Sequence, residues 1–511
     1  MPESISPKKQ IAHLGIGLAL FAGIAIFLKP SPTMVGDQAI ELSASGRLCI
    51  ALLAMAIYWW VTEVLPFHIT ALLVMLVMPL LGVTDGIQIL KSGQVMSIDG
   101  IGAGYKEIVR LSFGHDLILF FLGVFLLSGA FSETVLGRRM TLWMLGKIGT
   151  GTHRVILGFL IMGTLLSMWV SDVGVAAIML PVGLGILKQA NVKPLESNFG
   201  KALMIASCWG AIFGGIATPA GCGPNPIAIG YMRDLCGMQI SFVDWMKIGV
   251  PASLMMIPLG WLVLMLMFKP EFKRLPLSAD DIKSQLRELG PLTREEKGTL
   301  AIFGLVISLW VFNPLIAKFT GGLINLPISF VAILGGLLLF LPPFRVLTWE
   351  KADRVISWES IILIMASLGL GMMTYHTGAA KWIAVTLLGG VPSLSPVALV
   401  FVVVLVVIFM KLFLASNTVT GIIIIPILIS LAQAFDIDAW MLVGPAAFTS
   451  SLGIILVTQT PTNIIPYTSG YFSIRDFAKV GIVMSLVMVA VVTLAIVVIG
   501  PMTGMYSIQG N

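Results

Sequence analysis

The stretch "VSDVGVAAIMLPVGLGIL", residues 170–187, decides the fold because a similar stretch, "ASNTVTGIIIIPILISLA", occurs at residues 415–432. In each copy a serine, Ser171 or Ser416, stands ten residues ahead of a proline, and the two serines are 245 residues apart. Both copies are apolar apart from polar side chains near their start. The chain is therefore expected to contain an internal repeat whose two polar interruptions have the same structural role.

The sequence on either side of the two copies repeats as well. A segment that begins with an acid and ends in a polar tip and a glycine precedes each copy, at residues 116–137 and 359–378. An apolar run broken by a Gly/Thr/Pro/Asn cluster follows each copy, at residues 214–232 and 456–472. Such clusters cannot continue an α-helix, and their freed backbone groups need a buried or wet cavity because lipid offers no hydrogen bonds. We expect each repeat to contain, in this order, a re-entrant hairpin in the preceding segment, a broken helix in the signature stretch and a second broken helix in the following run, all facing a central site.

The relation between the two copies indicates a transporter. An odd number of spans between them would give them opposite orientations, which is the inverted-repeat design of secondary transporters. In that design the N-termini of half-helices face an anionic substrate, and unwound backbone carbonyls hold cations. Ordinary proline kinks are the alternative interpretation, but matching polar breaks in both halves favour the transporter.

The composition predicts an all-α polytopic membrane protein. The chain has 511 residues, of which 57% are hydrophobic and 11% are charged, and its mean hydropathy is +0.99. Apolar runs near bilayer length recur, and since a spanning helix needs about 20 residues, about 11 transmembrane helices fit, together with shorter re-entrant pieces. A sequence of this kind belongs in the lipid bilayer as an integral membrane protein.

The charged segments predict the orientation of the chain. Lys8 and Lys9 precede the first apolar run, which ends without a cleavage site, so we expect a retained span and a cytoplasmic N-terminus. Residues 269–297 hold seven Lys or Arg and are expected on the cytoplasmic side of a bacterial inner membrane. Such loops account for the net charge of +6, which therefore gives no reason to expect nucleic acid as a partner.

Other functional classes find little support in the sequence. The four cysteines, Cys49, Cys208, Cys222 and Cys236, lack the spacing of a metal site and are expected to be small buried hydrophobes. The five histidines are scattered, and no nucleophile and base occur in a motif, so an enzyme is not expected. A nucleotide-driven pump would need a phosphate-binding loop, and a channel would need rings of charged residues. Neither is present in the sequence.

Several motifs resemble the divalent anion/sodium symporter (DASS) family of dicarboxylate, citrate and sulfate carriers. The second copy carries the family signature "SNT" at residues 416–418, and further matches are "VTEVLPFHITALLVMLVMPLLGV" (61–83), "ATPAGCGPN" (217–225), "TQTPTN" (458–463) and "SGYFSIRDFAKVG" (469–481). The resemblance implies a homodimer in which a mobile transport domain carries its site across the membrane against a scaffold, as an elevator does.

Domain boundaries follow from the same resemblance. Scaffold and transport segments are expected to alternate along the chain. They are N-terminal scaffold helices in 1–112, a first transport repeat in 113–235, scaffold helices with the 269–297 loop in 236–345, a second transport repeat in 346–475 and a C-terminal helix in 476–511.

The resemblance also implies a substrate site and cation sites. Asn417 and Thr418 match family ligands of substrate carboxylates, but the first copy has Asp172 and Val173 at the matching positions, so only half of this clamp is conventional. The substrate-binding residues expected in this way are Ser171, Asp172, Thr218, Pro219, Ser416, Asn417, Thr418, Thr460 and Pro461. The sodium ligands expected in this way are Ser167, Ser171, Asp172, Gly215 and Asn417.

Two charged residues beside the signature stretches leave alternatives open. Asp172 is expected to be a cation ligand, a proton carrier because burial disfavours its charged form, or the partner of Lys411. Lys411 replaces the second sodium ion, or else extends to the membrane surface. An ionised Asp172 in direct contact with a dianion is unfavourable on Coulombic grounds.

The sequence thus predicts secondary active transport of a small anion, a di- or tricarboxylate, coupled to sodium. The alternative is sodium-independent anion exchange in which Lys411 replaces a sodium ion. No organic cofactor is expected.

Overall fold

The computed structural model describes residues 6–28, 32–35, 38–91, 94–276, 279–390, 394–504 and 506. We number the helices in these ranges in chain order. They are α1 (Pro7–Phe27), α2 (Ala44–Thr62), α3 (Phe67–Leu80), α4 (Ile101–Ser112), α5 (Leu117–Glu133), α6 (Leu136–Ile148), α7 (Thr152–Ser167), α8 (Asp172–Gln189), α9 (Asn198–Gly215), α10 (Pro224–Cys236), α11 (Phe242–Met267), α12 (Ala279–Glu288), α13 (Arg294–Phe319), α14 (Ile328–Leu338), α15 (Trp349–Val355), α16 (Trp358–His376), α17 (Ala379–Leu388), α18 (Pro396–Lys411), α19 (Asn417–Ala434), α20 (Trp440–Ser451), α21 (Pro461–Tyr467), α22 (Ile474–Leu494) and α23 (Gly500–Met502).

Short pieces of other structure complete the chain. A 3₁₀ turn covers Val457–Gln459 and a π turn covers Ala495–Ile499. Two antiparallel hairpins connect the early helices, β1 (Thr33–Val35) with β2 (Gln38–Ile40) and β3 (Ile87–Lys91) with β4 (Gln94–Ile98).

The helices confirm the predicted all-α polytopic class. Nine helical stretches among the described residues are long and apolar enough to cross a membrane, and five shorter apolar helices accompany them. The long stretches are Pro7–Phe27, Ala44–Thr62, Ile101–Glu133, Asp172–Gln189, Phe242–Met267, Arg294–Phe319, Trp358–His376, Asn417–Ala434 and Ile474–Met502.

The first signature stretch lies at the tip of a helical hairpin. A Cβ atom added to Gly183 of α8 would lie 3.3 Å from the ring of Phe159 in α7. Val155 near the start of α7 and Ile186 near the end of α8 line one cavity, so the two helices are antiparallel. The prediction of a broken helix here was wrong, because the chain reverses its direction before the extended residue Ser171 (φ −53°, ψ 139°). The prediction of re-entrant hairpins at 116–137 and 359–378 was wrong as well, since these segments lie mainly in the single helices α5 and α16.

The second signature stretch has the same arrangement. Val402 and Val403 in the first half of α18 line a small apolar gap together with Leu428 and Leu431 near the end of α19. Because Lys411 at the end of α18 contacts Asn417 at the start of α19, the two helices are antiparallel. The residues from Leu412 to Ser416 therefore form the tip of an α18–α19 hairpin.

Each repeat does contain one helix that is broken within its course. Residues 216–223 separate α9 from α10, and residues 452–460 separate α20 from α21. In the first break the Asn225 side-chain amide donates to the carbonyls of Gly215 and Thr218, both at 2.7 Å. The unwound carbonyls thus find partners away from water.

The second break is held by the same contact. The Asn463 side-chain amide donates to the carbonyls of Gly453 at 2.7 Å and Leu456 at 3.2 Å. The shared contact makes the two breaks structurally equivalent.

The two repeats have opposite orientations. We call the side of the molecule that carries residues 269–276 and 279–297 the loop face. The first hairpin opens there, because Thr152 at the start of α7 donates its backbone N–H to Lys273. Helix α9 also begins on the loop face, where Asn198 donates to the carbonyl of Lys269, so its continuation α10 ends on the opposite face. The second hairpin opens on that face, because Gln433 at the end of α19 donates to the carbonyl of Leu235 at the end of α10. The predicted inverted repeat is confirmed.

Candidate functional site

A cavity of about 160 Å³ lies where the two hairpin tips meet the two helix breaks. Its polar side combines residues that are far apart in the sequence, and nearly all the predicted substrate-binding residues are among them. They are Ser171, Asp172, Pro219, Ser416, Asn417, Thr418, Thr460 and Pro461, joined by Val173 and by the backbone from Ala220 to Gly223.

Helix N-termini converge on this cavity. Helices α8, α10 and α19 all begin at residues that line it or directly follow its lining, and the short α21 begins there too. Ser171 and Ser416 cap α8 and α19 by accepting the N–H groups of Gly174 at 3.4 Å and Val419 at 3.3 Å. The first N–H groups of a helix have no partner within the helix, and the helix dipole favours negative charge there. The arrangement therefore suits a small anion.

Lys411 is buried beside the second tip. Its side chain is 1% exposed, and its ammonium donates to Asn417 Oδ1 and to the carbonyl of Ser450 at 2.9 Å. Lys411 therefore does not extend to the membrane surface. Because an ammonium can only donate, it fixes the amide oxygen of Asn417 towards itself and leaves the Asn417 NH₂ group as a donor.

Asp172 is buried at the first tip and is connected to Lys411 through two side chains. Asp172 Oδ1 accepts the N–H of Val173 at 2.9 Å, and Oδ2 lies 3.7 Å from the Cys222 thiol. Asn417 Nδ2 in turn donates to Cys222 Sγ at 3.4 Å. The lysine and the aspartate thus interact through Asn417 and Cys222, a path that joins the two repeats.

Cys222 is a functional candidate that was not predicted from the sequence. It was expected to be a small buried hydrophobe, but it lines the cavity and contacts both signature tips. A signal for it exists in the sequence, since Cys222 precedes Asn225 by three residues as Thr460 precedes Asn463. The equivalence becomes clear only when the two asparagines are known to hold equivalent breaks.

The predicted first cation position has oxygen donors. Ser167 Oγ is buried and has no hydrogen-bond partner among the described residues. Gly215 is adjacent to Asp172, since a Cβ atom on Gly215 would lie 3.7 Å from the Asp172 Cβ. A hydroxyl, a carboxylate and a carbonyl are ligands that hard cations prefer. The position lies behind the cavity, because neither Ser167 nor Gly215 lines it.

The corresponding position in the second repeat is occupied by the lysine. Repeat symmetry pairs Ser167 with Leu412, Asp172 with Asn417, and Gly215 with Gly453. The Lys411 ammonium contacts Asn417, and a Cβ atom on Gly453 would lie 3.2 Å from it. Leu412 offers no oxygen ligand.

Thr218 is the predicted substrate residue that the structure does not bring to the cavity. Its hydroxyl donates to the carbonyl of Met168 at 2.5 Å and accepts the N–H of Ala220 at 3.2 Å. In this conformation Thr218 ties the first break to the first hairpin tip.

The other side of the cavity is a largely apolar wall that was not predicted from the sequence. It consists of side chains from α5 and α16, helices that lie outside both hairpins and both broken helices. They are Phe120, Phe121, Val124 and Phe125 from α5 and Ser360, Leu363 and Ile364 from α16. Ser360 is the polar residue among them, and its hydroxyl contacts that of Ser357 at 2.7 Å.

A larger cavity of about 310 Å³ lies towards the opposite face. Its charged residues are already paired, because Arg233 makes two hydrogen bonds to Asp116, at 2.9 and 3.0 Å. Phe242 and Trp310 also line it and stack with their ring centres 4.5 Å apart, and Trp169 beside the first tip stacks on Phe242 at 6.3 Å.

Fold and site together define a membrane transporter and not an enzyme. The chain belongs to the family described as the sodium:sulfate symporter transmembrane region, whose model matches residues 9–506. This finding confirms the DASS resemblance of the sequence motifs.

Curated relatives are similar over nearly the whole chain. The sodium-dependent dicarboxylate transporter SdcS of Staphylococcus saprophyticus is 32% identical over 515 residues, which cover 97% of this chain and 94% of that protein. The protein of the same name from Staphylococcus aureus strain USA300 is 30% identical, with 98% and 94% covered.

Solved structures share the fold at low sequence identity. The YdaH transporter of Alcanivorax borkumensis has a TM-score of 0.57 at 14% identity, with 89% of this chain and 100% of that chain covered. MtrF of Neisseria gonorrhoeae has a TM-score of 0.54 at 12% identity, with 86% and 96% covered. Both similarities concern the fold alone.

Proposed function

We propose that this protein transports a small carboxylate anion across the bacterial inner membrane by sodium symport. The observation that carries this proposal is the cavity at which the helices α8, α10 and α19 begin. Asn417 and Thr418 would bind a substrate carboxylate through the Asn417 amide, the Thr418 hydroxyl and the N–H groups that begin α19. Relatives named as dicarboxylate transporters support a substrate of that kind.

One sodium ion would bind at the first cation position. Ser167, Asp172 and the carbonyl of Gly215 would supply its oxygen ligands, and the buried hydroxyl of Ser167 lacks any other partner within the described ranges. The curated relatives named as sodium-dependent support sodium as the coupling ion.

The transport step would be an elevator movement within a homodimer. The moving unit would comprise the two hairpins and the two broken helices, α7–α10 and α18–α21. This unit contains fewer helices than the predicted transport repeats 113–235 and 346–475. It leaves out α5, because α5 packs closely on α14 of the predicted scaffold segment, with Gly123 directly against the backbone of Ala332. The apolar wall of α5 and α16 would be the surface along which the unit slides.

Sodium-independent exchange is the second candidate function. The buried ammonium of Lys411 favours it, because a fixed charge can replace the second sodium ion. In an exchanger, the empty site could not cross the membrane, so each anion could leave only in exchange for an entering anion.

Purified protein in proteoliposomes separates the two candidates. Uptake of labelled succinate into empty vesicles that requires an inward sodium gradient would support symport. Exchange would be established if labelled succinate entered vesicles preloaded with succinate at full rate without sodium and did not enter empty vesicles. Absence of both activities with all small carboxylates would refute the proposed function. The Lys411→Met variant is the matched test of the lysine, since a carrier that needs the ammonium loses exchange in this variant.

A further inference from the structure

We infer that the site takes a substrate with a single net negative charge, bound by its carboxylate at the Asn417–Thr418 tip and by a hydrogen-bond donor at the Asp172 tip. This inference rests on the proposed function and names the chemical class of its substrate. The donor at the second end can be a protonated carboxyl, a hydroxyl, an amide or an ammonium group.

The second hairpin tip offers donors to the substrate. The Lys411 ammonium faces the amide oxygen of Asn417. The Asn417 NH₂ group makes long contacts to Cys222 Sγ at 3.4 Å and to the carbonyl of Ser451 at 3.5 Å. The donors that this tip turns to the cavity are therefore chiefly the Thr418 hydroxyl and the N–H groups at the start of α19. Thr418 lines the cavity with a hydroxyl, and its side chain is half-buried. Together with the start of α19 and the nearby ammonium, this end of the cavity attracts a carboxylate.

The first hairpin tip offers an acceptor instead. An ionised aspartate can only accept hydrogen bonds and has about four acceptor positions. The N–H of Val173, the thiol of Cys222 and the hydroxyl of Thr462 account for three of them at Asp172, which leaves about one acceptor position for a donor on the substrate. Val173 lines the cavity without a hydroxyl, so the tip lacks the donor that Thr418 supplies in the other repeat. A second carboxylate placed here would meet a like charge, which is unfavourable in a buried site.

The charges of the whole site agree with a monoanion. Lys411 contributes a positive charge, Asp172 a negative charge and a sodium ion at the first cation position a positive charge. The sum is one positive charge, which a substrate with one negative charge neutralises. A dianion would leave a negative charge in a cavity whose other wall is apolar except for Ser360.

The experiment compares ligands that differ only at one end. Each dicarboxylate is paired with its half-amide, as succinate with succinamate and glutarate with glutaramate, and binding to detergent-purified protein in sodium chloride is measured by calorimetry. At pH 8, in the pair whose chain length fits the cavity, we expect the half-amide to bind at least tenfold more tightly than the dicarboxylate. Lowering the pH by one unit should strengthen dicarboxylate binding about tenfold, because the monoprotonated fraction rises in that proportion, and should leave half-amide binding unchanged.

Variants test the assignment to Asp172. Asp172→Asn should reverse the preference in favour of the dicarboxylate by at least tenfold, whereas Asp99→Asn, the same change at an exposed position, should not alter it. Equal or tighter binding of the dianion at pH 8 in the wild-type protein would overturn the inference while the proposed function stands, and this comparison needs no variant to fold. Failure of every carboxylate to bind or be transported would refute the proposed function and the inference with it.

Discussion

Thr418 and Val173 occupy corresponding places in the two hairpin tips, and only Thr418 carries a hydroxyl. The Thr418→Val variant removes that hydroxyl with little change of shape. Since a hydrogen bond to a charged group is worth about 1.5–3 kcal/mol, transport efficiency should fall roughly 10- to 150-fold. Uptake by proteoliposomes at several substrate concentrations measures the loss, and the thermal stability of the protein should stay unchanged.

A matched control exists elsewhere in the chain. Thr493 of α22 has a buried hydroxyl without a hydrogen-bond partner in the part of the chain that the structure describes. Thr493→Val makes the same chemical change and should leave uptake at the wild-type rate. Wild-type uptake by the Thr418→Val variant would remove Thr418 from the substrate site.

At the scale of elements, α7 and α9 approach each other through glycines. A Cβ atom on Gly210 would lie 2.9 Å from the carbonyl oxygen of Phe159, and one on Gly214 would overlap the backbone of Thr164. Small residues four positions apart allow such close helix packing in membranes. Gly214→Ala should therefore destabilise the protein by about 1–3 kcal/mol through overpacking.

Thermal unfolding in detergent measures this effect. The control is Gly304→Ala on α13, where an added Cβ atom meets no atom within 4 Å. Alanine is favoured over glycine within a helix by roughly 0.5–1 kcal/mol, so this variant should be at least as stable as the wild type. Equal melting temperatures for the two variants would contradict the packing argument.

The sequence predicted where the helices of each repeat stop better than it predicted the direction of the chain after each stop. Serine, glycine and proline mark where a helix must stop, so the positions of both tips and both breaks could be predicted from the sequence. Whether the chain reverses or continues after a stop depends on side chains beyond the stop, such as Phe159 against Gly183. For the same reason the cavity residues carried by the repeats were predictable, whereas the wall of α5 and α16 depends on tertiary packing.

For the whole molecule, the positively charged loop predicts which face is cytoplasmic. Glu288 lies on the loop face and is exposed, and Leu323 follows the far end of α13 with 87% of its surface exposed. In a Cys236→Ser background, we expect a membrane-impermeant maleimide to label Leu323→Cys in intact cells and Glu288→Cys only after permeabilisation. The reverse pattern would invert the orientation without affecting the repeat symmetry.

The row of rings formed by Trp169, Phe242 and Trp310 gives this protein an intrinsic optical reporter. Trp169 adjoins the first hairpin tip and Trp310 belongs to α13, so movement of the hairpin past α13 would separate rings that are now stacked. Indole fluorescence depends on the immediate surroundings of the ring, and a change in emission upon mixing with substrate would follow the movement in real time without any attached dye. Comparing the signal with that of Trp169→Phe and Trp310→Phe would isolate these two emitters among the 12 tryptophans of the chain.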